Sequence, residues 1–178
     1  FRAASGGTPE RNPEAWRPFR RGAVTELVKQ IRQVMTETRP SAILSAAIFP
    51  SVKSRERVLQ DAEGWVSQRL VDWVFPMTYE DSEGGFREIV EESYELFNPP
   101  LRRGRRVQPA ALDAVCFPGV GAYRHKTVDQ TLRQLELCRA GFALFSYSSL
   151  YVSPDETRRE DERLCRLRRE AVARLLKR

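Results

Sequence analysis

The sequence has few of the residues that build metal centres and disulfide frameworks. Its 178 residues include three cysteines and a single histidine, His125. Three scattered cysteines are too few for a disulfide framework or a cysteine-rich metal site, and one histidine excludes the paired spacing of a zinc-binding helix. We therefore expect Cys116, Cys138 and Cys165 to be buried free thiols, and we predict no metal cofactor.

Long hydrophobic runs are also lacking. No uninterrupted apolar stretch approaches the ~18 residues that a membrane-spanning helix needs, so we predict no membrane span. Hydrophobic residues still make up 41% of the chain, which is enough for one ordinary domain with a core and argues against disorder. The chain begins with Phe1 rather than methionine, and we expect it to be a piece of a longer protein.

The net charge of +6 is concentrated in two places rather than spread over one face. Residues 158–178 contain nine Arg or Lys and four Asp or Glu, which gives +5, and residues 102–106 contain four arginines. A nucleic-acid-binding surface normally combines a basic face with aromatic or motif support. We interpret the charge as a solvated helix and loop and expect no nucleic-acid partner; a basic nucleic-acid-associated α/β domain is the alternative from another class.

The most regular pattern is a first helix that ends at Arg39, because Pro40 prevents its continuation. Asn12 is a suitable cap, and Pro18 predicts that the regular helix begins there, with residues 12–17 as a separate lead-in. Its apolar residues have the three-and-four spacing of one buried stripe: Phe19, Ala23, Val24, Leu27, Val28, Ile31, Val34 and Met35. Further helices are predicted over 54–69 with a break near Asp61, over 86–97, from about Val128 to Gly141, and from Ser153 or Asp155 onward.

Four short apolar runs between these helices predict strands that are buried on both faces. They are Ser41–Phe49, Leu70–Met77, Asp113–Pro118 and Phe142–Tyr147. Strands that alternate with helices favour a parallel sheet, either open and doubly wound or part of a (β/α)8 barrel. A full barrel takes about 250 residues, so we predict an α/β fold over residues 1–178. It would be the C-terminal half of a (β/α)8 TIM barrel, with four parallel strands and flanking helices.

Binding sites in either architecture form at the carboxyl ends of the strands. Four segments follow the predicted strands: Phe49-Pro50-Ser51, Thr78-Tyr79-Glu80-Asp81, Gly119 to Arg124, and Ser146-Tyr147-Ser148. Tyrosines beside carboxylates suit a polar, uncharged, ring-shaped ligand such as a sugar. The glycines lack the third glycine of a dinucleotide loop and the Gly-Lys-Ser/Thr of a phosphate loop, so we predict no nucleotide cofactor.

Two adjacent carboxylates, Glu80 and Asp81, are the best placed for glycoside hydrolysis, which uses two carboxyl groups. Because adjacent side chains point in different directions, they are not expected to form the complete pair. The alternative is that they are solvated or cap the helix that begins near Gly85, as Asp61 is expected to cap its own helix. His125 is expected to be a solvated loop residue, with a smaller chance of facing the site.

Several motifs occur in the order found in one bacterial family. They are Trp16 with Val24-Thr25-Glu26-Leu27-Val28, Ser45 to Pro50, Gln60-Asp61, Leu70 to Val74, Pro76-Met77-Thr78-Tyr79, Pro118 to Tyr123, and Gly141 to Tyr147. With these motifs the chain resembles, over nearly its whole length, the C-terminal half of the family-10-like glycosyl hydrolase domain. The stretch 98–112 is expected to be a variable surface insertion.

The resemblance implies a TIM barrel that acts on carbohydrate, in secreted or envelope-attached bacterial proteins. It implies that the other half of the barrel, with the principal acid, lies outside this chain, so the chain alone is expected to be inactive. The chain would be a fragment of a glycoside hydrolase; the alternative is a non-hydrolytic carbohydrate-binding barrel. The predicted catalytic residues are Tyr79, Asp81 and Glu80. The predicted substrate-binding residues are Phe49, Met77, Tyr123, Arg124 and Tyr147.

Overall fold

The computed structural model describes residues 1–97, 116–151 and 159–177. Its helices are α1 (Arg2–Ser5), α2 (Pro13–Thr38), α3 (Val52–Arg57), α4 (Ala62–Ser67), α5 (Glu83–Phe97), α6 (Val128–Leu137) and α7 (Arg159–Leu175). Its strands are β1 (Ser45–Ile48), β2 (Trp73–Thr78), β3 (Gly119–Gly121) and β4 (Ala143–Phe145). The part of the chain that is described contains no helix long and apolar enough to cross a membrane.

The four strands belong to one sheet of order β1-β2-β3-β4. β2 and β3 are parallel, with Met77 opposite Gly119, and β3 and β4 are parallel, with Gly119 opposite Ala143. The predicted α/β class, with four parallel strands and flanking helices, is confirmed. Closure of the sheet into a barrel stays a prediction. Two compact units divide the chain, Phe1–Val74 and Phe75–Arg178, and the division falls inside β2.

The helix α2 of the first unit is continuous across Pro18, so the predicted separate lead-in is wrong. The side chain of Asn12 accepts a hydrogen bond from the Ala15 N–H over 3.3 Å, and Pro13 occupies the first turn. Capping and a proline in the first turn both favour helix from Pro13 onward. Pro18 has no N–H to donate, but it lies near the start of a 26-residue helix.

The predicted apolar stripe of α2 lies only partly on the inner face of the helix. Val24, Val28 and Met35 are partly buried. Polar groups anchor the same helix: Arg21 pairs with Asp61, the Trp65 indole donates to Thr25 Oγ1 over 3.0 Å, and Arg32 Nη2 lies 2.9 Å from Asp72 Oδ2. Four members of that stripe are exposed large hydrophobic residues, namely Phe19, Leu27, Ile31 and Val34.

A break near Asp61 separates α3 from α4, as predicted. Asp61 occupies the N-cap position of α4, but its side chain makes no capping hydrogen bond and pairs with Arg21 instead. Trp65 is buried nearby. The guanidinium of Arg55, 1% exposed, donates to the carbonyls of Phe49 and Pro50 and pairs with Glu63 over 2.6 Å.

The second unit packs α5, α6 and α7 on one face of its strands. The buried core consists of Phe86, Val90, Tyr94, Val120, Leu135, Cys138, Ala140 and Val172. Cys116, Cys138 and Cys165 are buried free thiols, as predicted. In α7, Cys165, Arg168 and Val172 are buried, whereas Leu167 is exposed.

The third strand lies further along the chain than predicted. Gly119–Gly121 was expected to follow the third strand, but it forms β3 and its three residues are buried. Cys116 forms only an isolated bridge. Residues 113–115 of the predicted strand 113–118 lie outside the described residues, as do the expected insertion 98–112 and the predicted start of the last helix at Ser153 or Asp155.

Candidate functional site

Three aromatic rings meet at the carboxyl ends of β2, β3 and β4. The Tyr79 ring stacks on Phe145, with centroids 5.3 Å apart, and Tyr123 meets Tyr79 edge-on at 5.9 Å and Phe145 at 5.8 Å. We call these three residues the aromatic group. Tyr123 is 53% and Phe145 50% exposed, so apolar ring surface is open to solvent at the edge where ligands bind to parallel sheets.

The glycines of β3 make room for this group. A Cβ added to Gly121 would lie 3.0 Å from the Cβ of Tyr79, and one added to Gly119 would lie 2.9 Å from the carbonyl oxygen of Pro76. Glycine within a strand often marks such a close approach. Tyr79 and the backbone of β2 therefore lie close to these two glycines, which explains why positions 119 and 121 have no side chain.

Asp81 is held by Arg124 in a two-point ion pair. Arg124 Nε lies 2.7 Å from Oδ1 and Nη2 lies 3.0 Å from Oδ2. The hydrogen bonds from this guanidinium lower the pKa of the Asp81 carboxyl. A carboxylate held in the ionised form is unsuited to protonating a leaving group.

Glu80 lies against the start of α5. Its Oε2 is 3.4 Å from where a Cβ on Gly85 would be. The cap of α5 is neither Glu80 nor Asp81, because the hydroxyl of Ser82 accepts the Gly85 N–H over 3.1 Å.

Two glutamines of α6 hold the backbone between Tyr79 and Ser82. Gln134 Nε2 donates to the carbonyl of Glu80 over 2.7 Å, and Gln130 Nε2 donates to the carbonyl of Asp81. The phenol of Tyr79 has a raised pKa because it is partly buried and lies beside Tyr123. It therefore keeps its proton at neutral pH and can donate a hydrogen bond.

The three predicted site residues not yet described are Tyr147, Met77 and Phe49, and none of them belongs to the aromatic group. Tyr147 is 71% exposed and stacks on Tyr151, with centroids 4.6 Å apart. Met77 lies within β2 and is half-buried. Phe49 belongs to the first unit, where its N–H donates to Gln60 Oε1 over 2.8 Å.

His125 is buried rather than solvated, which corrects the sequence-based expectation. It is 3% exposed, and its Nδ1 lies 3.0 Å from Thr131 Oγ1. Burial, and then the charge of Arg168, lower its pKa. Its ring lies under the turn that carries Tyr123 and Arg124, because it ends the short 3₁₀ turn Ala122–Arg124.

Sequence reasoning missed Phe145, Gln130 and Gln134. Phe145 was assigned to the interior of the predicted strand Phe142–Tyr147, whereas β4 ends at Phe145 itself. The glutamines bond to backbone groups 49 and 54 residues away, for which a single sequence carries no local signal. Within residues 1–97, 116–151 and 159–177, no group of three or more His, Cys, Asp or Glu side chains is arranged to hold a metal ion.

One comparison with known proteins identifies a family. The family model described as "Glycosyl hydrolase-like 10" matches residues 1–96. The match includes Tyr79, Glu80 and Asp81 and ends before β3, so the resemblance of residues 118–123 and 141–147 stays a prediction. No curated protein and no solved structure matches the chain.

Proposed function

The chain belongs to the glycosyl hydrolase-like 10 family, and on that premise we propose that its aromatic group binds carbohydrate as part of a glycoside hydrolase. Membership supports a function related to glycoside hydrolysis. The observation that carries the proposal is the stack of Tyr79 on Phe145 with Tyr123 set edge-on to both rings. The C–H-rich face of a sugar ring packs on an exposed aromatic face, and neighbouring polar groups bind its hydroxyls.

In this proposal Tyr79 positions the sugar or its reacting group. Its protonated phenol donates a hydrogen bond, and its place at the end of β2 puts it among the rings of the aromatic group. Asp81 acts through Arg124: the ion pair orients the guanidinium, whose exposed surface binds sugar hydroxyls. Glu80 supports the same segment from the start of α5.

The remaining predicted residues extend the proposed site. Tyr123 and Arg124 form one wall, and the exposed ring of Tyr147 forms another. Met77 is proposed as a further substrate contact. The principal acid is proposed to come from a part of the (β/α)8 barrel outside this chain, because Asp81 is paired with Arg124 and two adjacent carboxylates are not expected to form the complete acid pair. The chain alone should therefore bind without cleaving.

The test is a binding titration with three probes: cellohexaose, xylohexaose and chitohexaose. At least one should bind and shift the ring signals of Tyr79 and Tyr123 in an NMR spectrum. Phe145→Leu keeps apolar bulk but removes the stacking face, and we expect about a 3- to 10-fold loss of affinity. Phe145→Tyr should bind as the native chain does.

Leu96→Ala provides the matched control, because Leu96 is similarly exposed on α5 and belongs to no part of the proposed site. The proposal fails if none of the three probes binds, or if Phe145→Leu and Leu96→Ala bind the probe equally well. Release of reducing ends by the chain alone would instead show that it carries its own acid, which contradicts the assignment of Asp81 and Glu80 as supporting groups.

A further inference from the structure

A buried polar network lies beneath the turns that follow β3 and β4. Its centre is Arg168 of α7, which is 2% exposed. Arg168 donates from Nη2 to the carbonyl of His125 over 2.8 Å and from Nη1 to the carbonyl of Ser149 over 3.0 Å. One guanidinium therefore joins the turn that carries Tyr123 to the turn that carries Tyr147.

Arg168 influences which nitrogen of His125 accepts a hydrogen bond. Its Nε donates to Thr131 Oγ1 over 3.0 Å, and the same oxygen lies 3.0 Å from Nδ1 of His125. A guanidinium can only donate, so the threonine oxygen accepts from Arg168 and keeps its hydroxyl proton for another partner. Donation of that proton to Nδ1 would place the proton of the neutral ring on Nε2.

Two further polar groups lie close to the imidazole ring of His125. The side chain of Gln134 and the carbonyl of Glu80 lie close enough to favour a proton on His125. Among the described residues, neither Nε2 nor Gln134 Oε1 has a partner at full hydrogen-bond geometry, although both are buried. Gln134 uses its NH2 on the Glu80 carbonyl, which leaves its Oε1 to accept the imidazole proton.

Burial, and after it the charge of Arg168, lowers the pKa of His125 and keeps the ring neutral. Arg168 from α7 repels a proton on His125, whereas Asp81, from its exposed position after β2, attracts one. The three hydrogen bonds described for Arg168 all go to uncharged oxygens. A second positive charge in this buried network would have no buried carboxylate among these partners to offset it.

We propose that His125 is a positioning residue of the candidate site: as a neutral Nε2–H imidazole it ties the turn after β3 to Gln134 and Glu80. Tyr79 and Tyr123 stand next to the two tied segments, so the link maintains their edge-on contact. Protonation of His125 breaks the link and loosens that contact. The consequence for ligand binding rests on the proposed function; the state of the ring does not.

The first test uses the fact that His125 is the only histidine in the sequence. The imidazole ¹⁵N signals of the labelled chain therefore report on this residue alone. We expect the Nε2–H tautomer at neutral pH and a titration midpoint below the ordinary histidine value of 6.5. The Nδ1–H tautomer, or a midpoint at or above that value, would overturn the proposal.

The second test compares Thr131→Val with Thr131→Ser. Valine removes the donor to Nδ1 and should abolish the tautomer preference, weaken the ring–ring NOE between Tyr79 and Tyr123, and lower the affinity for the hexasaccharide that binds. Serine keeps the hydroxyl and should preserve all three. If the NOE and the affinity are unchanged in Thr131→Val, His125 does not position the site and only packs in the core.

If Thr131→Val does not fold, a pH titration of the native chain takes its place. The Tyr79–Tyr123 NOE should weaken in step with the ¹⁵N titration of His125, and an NOE that stays constant through that titration would contradict the proposal. If no hexasaccharide binds the native chain, the proposed carbohydrate function fails. The tautomer and the ring NOE then still decide the role of His125.

Discussion

Asp81 and Arg124 connect the segment after β2 to the turn after β3, with Nε and Nη2 of the guanidinium 2.7 and 3.0 Å from the two carboxylate oxygens. Two parallel hydrogen bonds fix orientation as well as distance. Tyr123 precedes Arg124 in the chain, and Tyr79 precedes Asp81 by two residues. The ion pair therefore helps to fix the relative position of the Tyr79 and Tyr123 rings. It also joins two side chains that were predicted to have separate roles, Asp81 in catalysis and Arg124 in substrate binding.

We expect the carboxyl of Asp81 to titrate below the ordinary aspartate value of 3.8, because the Arg124 guanidinium binds its charged form. Arg124→Gln should return the pKa toward that value, as followed by ¹³C NMR of the carboxyl. Since the folded-state pKa is the lower one, the pair contributes stability above the unfolded-state pKa. That contribution is lost as the pH falls through the folded-state value.

Arg133→Gln is the control for this measurement. Arg133 is an exposed arginine whose Nε pairs with Asp129 over 2.8 Å within α6, so its loss should leave the titration of Asp81 unchanged. Added salt should raise the pKa of Asp81 in the native chain, because the pair is exposed to solvent. An Asp81 pKa that does not respond to Arg124→Gln would show that the two side chains are not paired in solution.

Helices with one apolar face could be located from the sequence. The predicted helix 86–97 corresponds to α5, Glu83–Phe97, whose buried residues include Phe86, Val90 and Phe97. The spacing in α2 predicted the helix and part of its inner face, where Val28 and Met35 are partly buried. It did not predict the hydrogen bonds and ion pairs that anchor the helix through Arg21, Thr25 and Arg32, because spacing shows which residues share a side and not which partners they meet.

Glycine was the main source of error in the strands. Gly119 and Gly121 are typical turn residues, and their role becomes evident only when Tyr79 is seen packed against Gly121. For the site, the rule that ligands bind at strand carboxyl ends correctly selected the segments that carry Tyr79, Asp81, Tyr123 and Arg124. It could not select Phe145, because the last residue of a three-residue strand depends on its pairing with β3.

Gly121→Ala should displace the Tyr79 ring within the aromatic group. The added methyl would lie 3.0 Å from the Cβ of Tyr79 and 3.1 Å from two of its ring atoms, so either the ring or β3 must move. We expect overpacking to cost about 1–3 kcal/mol of unfolding free energy. The stacking NOE between Tyr79 and Phe145 should weaken as well.

Gly84→Ala is the matched control, because an added Cβ at Gly84, within α5, meets nothing within 4 Å. It should leave the ring NOE intact and slightly raise the unfolding free energy. Equal stability of Gly121→Ala and the native chain, with the stacking NOE retained, would mean that Tyr79 does not lie across β3.

The indole of Trp65 tests how α2 is anchored in the first unit. Its Nε1 donates to Thr25 Oγ1 over 3.0 Å, and both residues are buried. Thr25→Val keeps the shape of the side chain but leaves the indole N–H without its acceptor, which should cost about 1–3 kcal/mol. Thr25→Ser keeps the acceptor and should lose less, as measured by urea unfolding; the reverse order would show that methyl packing, not the hydrogen bond, holds α2.

Two helical glycines of the first unit should respond to alanine in opposite directions. Gly22 is exposed in the interior of α2, where an added Cβ meets nothing within 4 Å. Gly22→Ala should therefore raise the unfolding free energy by about 0.5–1 kcal/mol, because alanine has the higher helix propensity. Thermal or urea unfolding measures the change directly.

Gly64 of α4 offers no such gain. A Cβ there would overlap the carboxylate of Asp61, which is the partner of Arg21. Gly64→Ala must displace that carboxylate, so the gain in helix propensity should be offset and the unfolding free energy should fall. If Gly64→Ala stabilised the chain as much as Gly22→Ala, the Asp61 carboxylate would have to move without any loss of unfolding free energy. Its pairing with Arg21 would then contribute nothing to the packing of α2, and the hydrogen bond between Thr25 and Trp65 would be the stronger anchor.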